Sequence, residues 1–474
     1  MMRRILSYAV LMPMIVVWGL SSLGSAQTDS LPAPRSPNLP KITLVEDLMP
    51  YARQYVSDPF RGIYSLMKPT VGVKKGEKVL LLAESTMDPL VLEAVHRALL
   101  EAGAQVNVIN LYGFPELTHP IDLGVKYIID RWWPEWVWQA IEGNNVLIAA
   151  CQLDYVHVIP NSWFKERGLR FVRLPFGARE QLASALVTYP NEIFDALSHK
   201  VWNQVKGAKQ IRVTDPLGTD ITVNLDEEYW QTIESQYERD YDLDFNTPYF
   251  PGHITIQPFL SKQPVEGKIV VTALHGGLVP KTTFTIANGR ETSIAGSGLH
   301  VACALKPQAK ATVTGKPEDD PRVVEYMREV CEKYQDIHFP GSPAPGANFL
   351  VEISLGVQPK AFRMPNPEKY SGGARFWGWA EARKRSGVLH IAFGSSTAIF
   401  GGGQAIIDFV TERKVTVQHM DTELYFPTYY VDGKKIVDNG HLLALDDPEI
   451  REVAAKYGDP DELLREDWIP EVGK

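Results

Sequence analysis

Apolar positions along this chain follow two different rhythms. From Val45 to Val56 they recur at helical spacing, which predicts a helix. Lys74-Lys75-Gly76 then makes a turn, and Lys78 to Ala83 is a continuous apolar run of the kind buried on both faces of a sheet. In DPLVLEAVHRALLEAGA the residues Leu90, Leu92, Val95, Leu99 and Leu100 form a helical stripe, and Gly103 is placed to end it. QVNVINL follows at once, and NNVLIAACQ comes later as a third strand. Strand, helix and strand in alternation predict a parallel sheet. RFVRLPF and a helical stretch from Ala178 to Val205 complete this region.

Near Gly207 the period drops toward two. KQIRVTDPLGTDITVNL reads as two strands joined by a Pro-Leu-Gly-Thr turn. GHITIQ, VEGKIVVTAL and TTFTIANGRETSIAG continue the β pattern, the last turning at Asn288-Gly289. After an amphipathic helix in PRVVEYMREVCEKY come NFLVEISLG, GVLHIAFG, KVTVQHMDTELYF and TYYVDGKKIVD, which turns at Asp432-Gly433. DPEIREVAAKYG and DPDELLRED close the chain as short helices with Asp near each N-terminus. The expected architecture is an α/β N-terminal domain with a parallel sheet (45–206), followed by an α+β domain with a largely antiparallel sheet (207–474).

The opening 26 residues stand outside both rhythms. Arg3 and Arg4 precede an apolar run from Ile5 to Leu20, with small residues at Gly24 and Ala26, the pattern of a cleaved secretory signal. Residues 27–44 include a Pro- and Ser-rich stretch and read as a mobile leader. The expectation is an exported protein, periplasmic or secreted, with no stable membrane insertion once the signal is removed. Two of the 48 basic residues and none of the 57 acidic ones lie in those 26 residues, so the net charge of −9 becomes about −11 for a chain starting at Gln27. An acidic chain without a basic tract argues against nucleic acid as a partner. Cys151, Cys303 and Cys331 are too few and too scattered for a disulfide framework or a zinc knuckle.

Chemistry concentrates between Gly387 and Asn439. His390 ends an apolar run, and His419 and Asp421, two apart on a strand, point to one face. Two imidazoles and one carboxylate leave open positions on a divalent metal such as non-haem iron. Glu352, in the apolar strand VEISLG, needs a partner, since an unpaired buried charge is costly. It is either a ligand or the group that orients a ligating His. No GxGxxG or GxxxxGK[ST] motif follows the early strands. His157 lies just after the third strand, where open α/β sheets place binding residues, although an ordinary histidine explains it as well. Trp132 to Trp138 suit an interface or an aromatic clamp, and Tyr425, Tyr429 and Tyr430 either line the site or pack. The span GGARFWGWAEARKR, with Trp377 and Trp379, reads as a surface loop before it reads as a lid. His253, His275 and His300 have no partner spacing.

Taken together, VKKGEKVLLLAES, RVTDPLGTDITVNL, VEGKIVV, NFLVEISLG, GVLHIAFG and VQHMDTELYF resemble a superfamily. It contains the aminopeptidase T-like metallopeptidases and the iron-dependent 2,5-dihydroxypyridine 5,6-dioxygenases. The resemblance runs from about Leu44 to Leu445 and implies a two-domain fold, a homodimer and a metal held by His390, His419 and Asp421 in the second domain. Glu352 falls where the peptidases place a further metal-binding Glu. Two departures weaken the peptidase reading. GHITIQPFLSKQPVEG lacks the Glu of the peptidases' GEVF-like motif, and Thr397 stands where they have Tyr. The resemblance therefore implies a mononuclear Fe(II) dioxygenase-like enzyme acting on a hydroxylated aromatic or N-heteroaromatic ring; such chemistry needs a base, for which His157, by its place after the third strand, is a candidate. The alternatives are an exported metallo-aminopeptidase, using Zn(II) or Co(II) with Glu352 as ligand or base on a short peptide, and a non-catalytic small-molecule-binding protein on the same fold.

Overall fold

Why the first strands run parallel is plain from what joins them. The computed structural model describes residues 37–57, 72–111, 125–126, 135–150, 161–240, 246–247, 253–274, 277–295, 350–364, 369–370, 374, 378, 381–394 and 419–466. Strand β1 (Lys78–Glu84) is followed by the helix Pro89–Glu101 and then by β2 (Gln105–Leu111). Asp88 caps that helix by accepting from the Leu90 N–H, and Pro89 takes the first position, where its missing N–H costs nothing. Gly103 ends it with φ +86°, and a Cβ there would sit 2.9 Å from Lys75 Cγ. Next come β3 (Val125–Lys126), β4 (Val146–Ala150) and β5 (Arg170–Leu174). With β8 (Asn246–Thr247), the strands β1, β2, β4 and β5 give a parallel sheet in the order β2-β1-β4-β5-β8. The helices Val45–Val56 and Pro89–Glu101 cover one face, burying Leu48, Ala52, Val95 and Leu99 against Val79, Leu81, Val146 and Ile148. Each buried Leu, Val or Ile side chain there stabilises by roughly 1.5–3 kcal/mol.

The helical stretch expected from Ala178 to Val205 is broken into Arg179–Leu182, Ala185–Thr188 and Asn191–Val205. Pro190 explains the last break, because a proline disfavours helical backbone in the residue before it. Tyr189 is accordingly extended, at φ −61° and ψ 134°.

In the second half the strands are β6 (Gln210–Thr214), β7 (Asp220–Asn224), β9 (His253–Ile256), β10 (Val265–Leu274), β11 (Gly277–Ala287) and β12 (Arg290–Ala295). They continue with β13 (Leu350–Gly356), β14 (Leu389–Gly394), β15 (His419–Leu424), β16 (Thr428–Val431), β17 (Lys434–Asp438) and β18 (His441–Leu442). Among the described residues they form a sheet with the path β18-β17-β16-β6-β7-β10-β15-β14-β13-β9, the hairpin β11-β12 joining at β10 and β3 at β15. Its strand pairs are antiparallel. The hairpins turn at Asn288-Gly289 and Asp432-Gly433, where all four residues have positive φ, as tight hairpin turns require. One face of this sheet buries Ile254, Ile353, Leu355, Leu389, Ile391 and Leu424 against the helix Asn191–Val205 and the closing helix Pro448–Ala455. The last two helices start as expected, Asp447 and Asp459 accepting from the N–H groups of Glu449 and Asp461.

No helix among the described residues is long and apolar enough to cross a membrane. The proposed signal, most of the leader, the three Cys, His157, His275, His300, Trp132, Trp133, Trp377, Trp379, Thr397 and the expected helix at 321–334 lie outside the described residues.

Candidate metal centre

Strands β9, β13, β14 and β15 are neighbours, and their registers decide which side chains share a face. Ser354 pairs with Thr255 on one side and His390 on the other, Glu352 pairs with Ala392, and Ala392 pairs with Asp421. Residues two apart on a strand share a face. His253, Thr255, Glu352, Ser354, His390, Asp421 and Glu423 therefore occupy one side of the sheet, opposite the apolar face. His390, Asp421 and Glu423 are all buried, and Glu352 is half-buried.

Within that polar face, His390 Nε2 is 3.5 Å from Asp421 Oδ1 and 3.7 Å from Glu352 Oε2. These separations are long for hydrogen bonds. Only the His390–Asp421 separation falls within the roughly 3.3–3.6 Å that ligand bonds of about 2.0–2.2 Å at tetrahedral angles set between neighbouring donors. Glu352 is steadied from behind, because Ser354 Oγ bonds to its Oε1 and lies 2.6 Å from Thr255 Oγ1. Burial holds the His390 imidazole below its usual pKa against the pull of Asp421 and Glu352, and Arg383 adds to the lowering. A neutral imidazole is the form that binds a metal.

The wall facing this sheet comes from Glu381 to Ser386. The sequence reading of a surface loop is corrected here for residues 381–385, which are all buried. Three things make burial of so many charges tolerable. Lys384 Nζ donates to both Glu381 oxygens at 2.8 Å, Arg385 donates to the carbonyls of Ser386 and Gly440, and Arg383 Nη1 stands 3.9 Å from Asp421 Oδ2. Burial lowers the Lys384 ammonium to about pKa 7, Glu381 opposing and the Arg383 and Arg173 charges assisting. Backbone bonds lace the segment to β13 and its continuation: Gly356 N–H to Val388 O, Gly387 N–H to Gly356 O and Gln358 N–H to Lys384 O. Gly356 permits this approach, since a Cβ there would lie 2.1 Å from Arg385 O.

Of the residues singled out in the sequence, the structure thus brings His390, Asp421 and Glu352 together. The backbone of His419 is in β15, paired with Lys126 of β3, while its side chain and all of His157 lie outside the described residues. Among the described residues, which exclude the His419 side chain, no group of three or more His, Cys, Asp or Glu is arranged to hold a metal ion. Tyr429 belongs to the main apolar core, whereas Tyr425 packs with Ala382 and Val388 beside the charged wall. Sequence reading missed His253. It lies alongside His390 with ring centroids 5.4 Å apart and planes 6° from parallel, and its Nε2 bonds to Arg383 O at 3.1 Å. The alternation of HITI in β9, at the end of the sheet path, is the signal that could have placed it on the polar face.

No protein-family model matches the chain, and no curated protein matches it significantly by sequence. Solved structures do match. A 2,5-dihydroxypyridine dioxygenase from Pseudomonas putida KT2440 superposes at TM-score 0.50 with 15% identity, covering 86% of this chain and 99% of its own. Wild-type AmpT from Thermus thermophilus gives TM-score 0.39 at 14% identity, covering 83% of this chain and 99% of its own. The chain shares the dioxygenase's fold. Both neighbours are of the kinds that the sequence segments resemble, and at these identities the likeness speaks for the fold alone.

Proposed function

We propose that this protein is a mononuclear metal-dependent oxygenase, with His390, His419 and Asp421 holding one Fe(II) and a hydroxylated aromatic or N-heteroaromatic ring as substrate. The observation that carries this reading is the placement of His390 Nε2 between the Asp421 and Glu352 carboxylates, at 3.5 and 3.7 Å, on the buried polar face of the sheet. The donor set fits the ion: a neutral imidazole and a buried carboxylate, with a second imidazole two residues along β15. Bound there, iron would supply open positions for substrate and O2 and a path for electrons between them.

The side chains have separate tasks around it. Asp421 supplies the negative charge, and the Arg383 guanidinium stands 3.9 Å from its Oδ2. Glu352, turned by Ser354, is the group placed to take a proton from a ring hydroxyl through Oε2. The Glu381–Ser386 wall keeps water from the inner side of the cluster. One observation favours a hydrolytic alternative: Glu352 adds a second carboxylate, which a metallo-aminopeptidase would use as ligand or base.

Metal analysis of protein purified without oxygen, followed by oxygen uptake on dihydroxylated rings, separates the two. One iron per chain with uptake supports the oxygenase. Two zinc-like ions with cleavage of amino-acid anilides would replace it with the peptidase, and a metal-free protein unaffected by chelators would end both.

A further inference from the structure

His253 stands in the polar face with no task in the proposed chemistry, although it is buried and in contact with two elements of the site. Its partner on one side is a backbone carbonyl, that of Arg383. A carbonyl only accepts, so Nε2 must carry the ring proton and donate it. That fixes the tautomer.

The bond has a geometric consequence. Arg383 is the residue whose guanidinium stands 3.9 Å from Asp421, and its carbonyl is the point at which β9 grips the charged wall. The ring of the same histidine lies within 6° of parallel to that of His390. One imidazole therefore touches both halves of the centre: the plane of His390 directly, and Asp421 through the backbone that carries Arg383.

We propose that His253 is a positioning residue of the metal centre, holding the Arg383 backbone through its Nε2–H and setting the ring plane of His390 by stacking. This rests on the metal-site reading in part, because the ion is what the positioning serves. The stacking and the carbonyl bond belong to the protein itself and are measurable without metal. Losing an orienting partner of this kind typically costs 10–100-fold in metal affinity.

Two substitutions divide the roles. His253→Phe keeps a ring against His390 and removes the donor, while His253→Gln keeps an N–H near the same place and removes the ring. Cobalt(II) would be titrated into metal-free wild type and both variants, following the visible absorption bands, which report ligand geometry. Histidine-labelled, metal-free samples would give the ring carbon and nitrogen shifts of His390, identified by their loss in His390→Gln. Thermal unfolding of each sample checks folding.

The expected result is a 10–100-fold weaker cobalt affinity and displaced absorption bands in His253→Phe, with affinity partly restored in His253→Gln. The His390 ring shifts should move in His253→Gln, in which the stack is gone. Variants that melt earlier yet keep wild-type cobalt affinity, band positions and His390 shifts would overturn the proposal, leaving His253 a packing residue. If wild type itself binds no cobalt, the metal reading fails, and the metal-free His390 shifts alone decide for or against His253: moved in His253→Gln supports the stacking role, unmoved rejects it.

Discussion

Asp421 shows how much one buried carboxylate can be asked to do. It is fully enclosed, 3.5 Å from His390 Nε2 and 3.9 Å from Arg383. An amide in its place keeps the size and loses the anion that would draw a divalent ion. Asp421→Asn is expected to weaken cobalt or iron binding by more than about 100-fold, beyond what losing an orienting partner costs. Equilibrium dialysis measures this, and an unchanged affinity would remove Asp421 from the ligand set. His441 governs a different property. It lies between Glu466 (2.8 Å) and Asp446 (2.9 Å), and the Glu466 hydrogen bond does most to raise its pKa to about 9 from 6.5, against partial burial. Between those values the folded chain holds a proton that the unfolded chain releases, so stability falls as pH rises. The contribution is complete below pH 6.5 and gone once pH passes 9. Urea midpoints for wild type should therefore decline between pH 7 and 9.5, and His441→Gln should flatten the decline. Parallel slopes for the two proteins would contradict it.

At the scale of elements, Gly356 is where β13 and the charged wall meet. An alanine methyl there would collide with Arg385 O and the Lys384 carbonyl carbon, both backbone atoms that cannot swing aside. Gly356→Ala should destabilise by about 3 kcal/mol, at the severe end of overpacking, and loosen the Arg383 contact with Asp421. Chemical denaturation checks the first expectation; a loss under about 1 kcal/mol would mean the wall shifts at little cost.

The same elements show what the sequence could disclose. Val45–Val56, Gln105–Leu111 and Val265–Leu274 match their predicted spans, because each carries a clear period and a Gly or polar boundary. Asn288-Gly289 and Asp432-Gly433 were legible for a local reason, the need for positive φ. The wall was not. EARKRS has the composition of a solvated turn, and only the Glu381–Lys384 pair and carbonyls distant in sequence make its burial possible. His253 was hidden for a related reason: its partner Arg383 is 130 residues away, and no short motif links them. The set read from the sequence was His390, His419 and Asp421, with Glu352 beside it; alternation plus resemblance, not alternation alone, suggested it, and the His419 side chain lies outside the described residues.

At the scale of the whole molecule, each sheet contains a strand from the other half of the chain. Val125–Lys126 precedes most of the antiparallel sheet in sequence yet pairs with β15, and Asn246–Thr247 comes after β6 and β7 yet completes the parallel sheet beside β5. Gly177 adds to the seam, since a Cβ there would lie 2.5 Å from Ala374 Cα. Expressed alone, residues 37–206 would leave the β5 edge open, and bare edges invite aggregation. The expected outcome is that this piece and residues 207–474 are insoluble separately but co-purify when made in the same cell. Two independently soluble, folded pieces would refute that.

The exchanged strands also bear on how the protein withstands damage. A single cut in the connection after Val205 severs the polymer without separating its parts, because each part keeps hold of a ribbon belonging to the other. A nicked molecule should therefore migrate as one species on a sizing column and as two only in detergent.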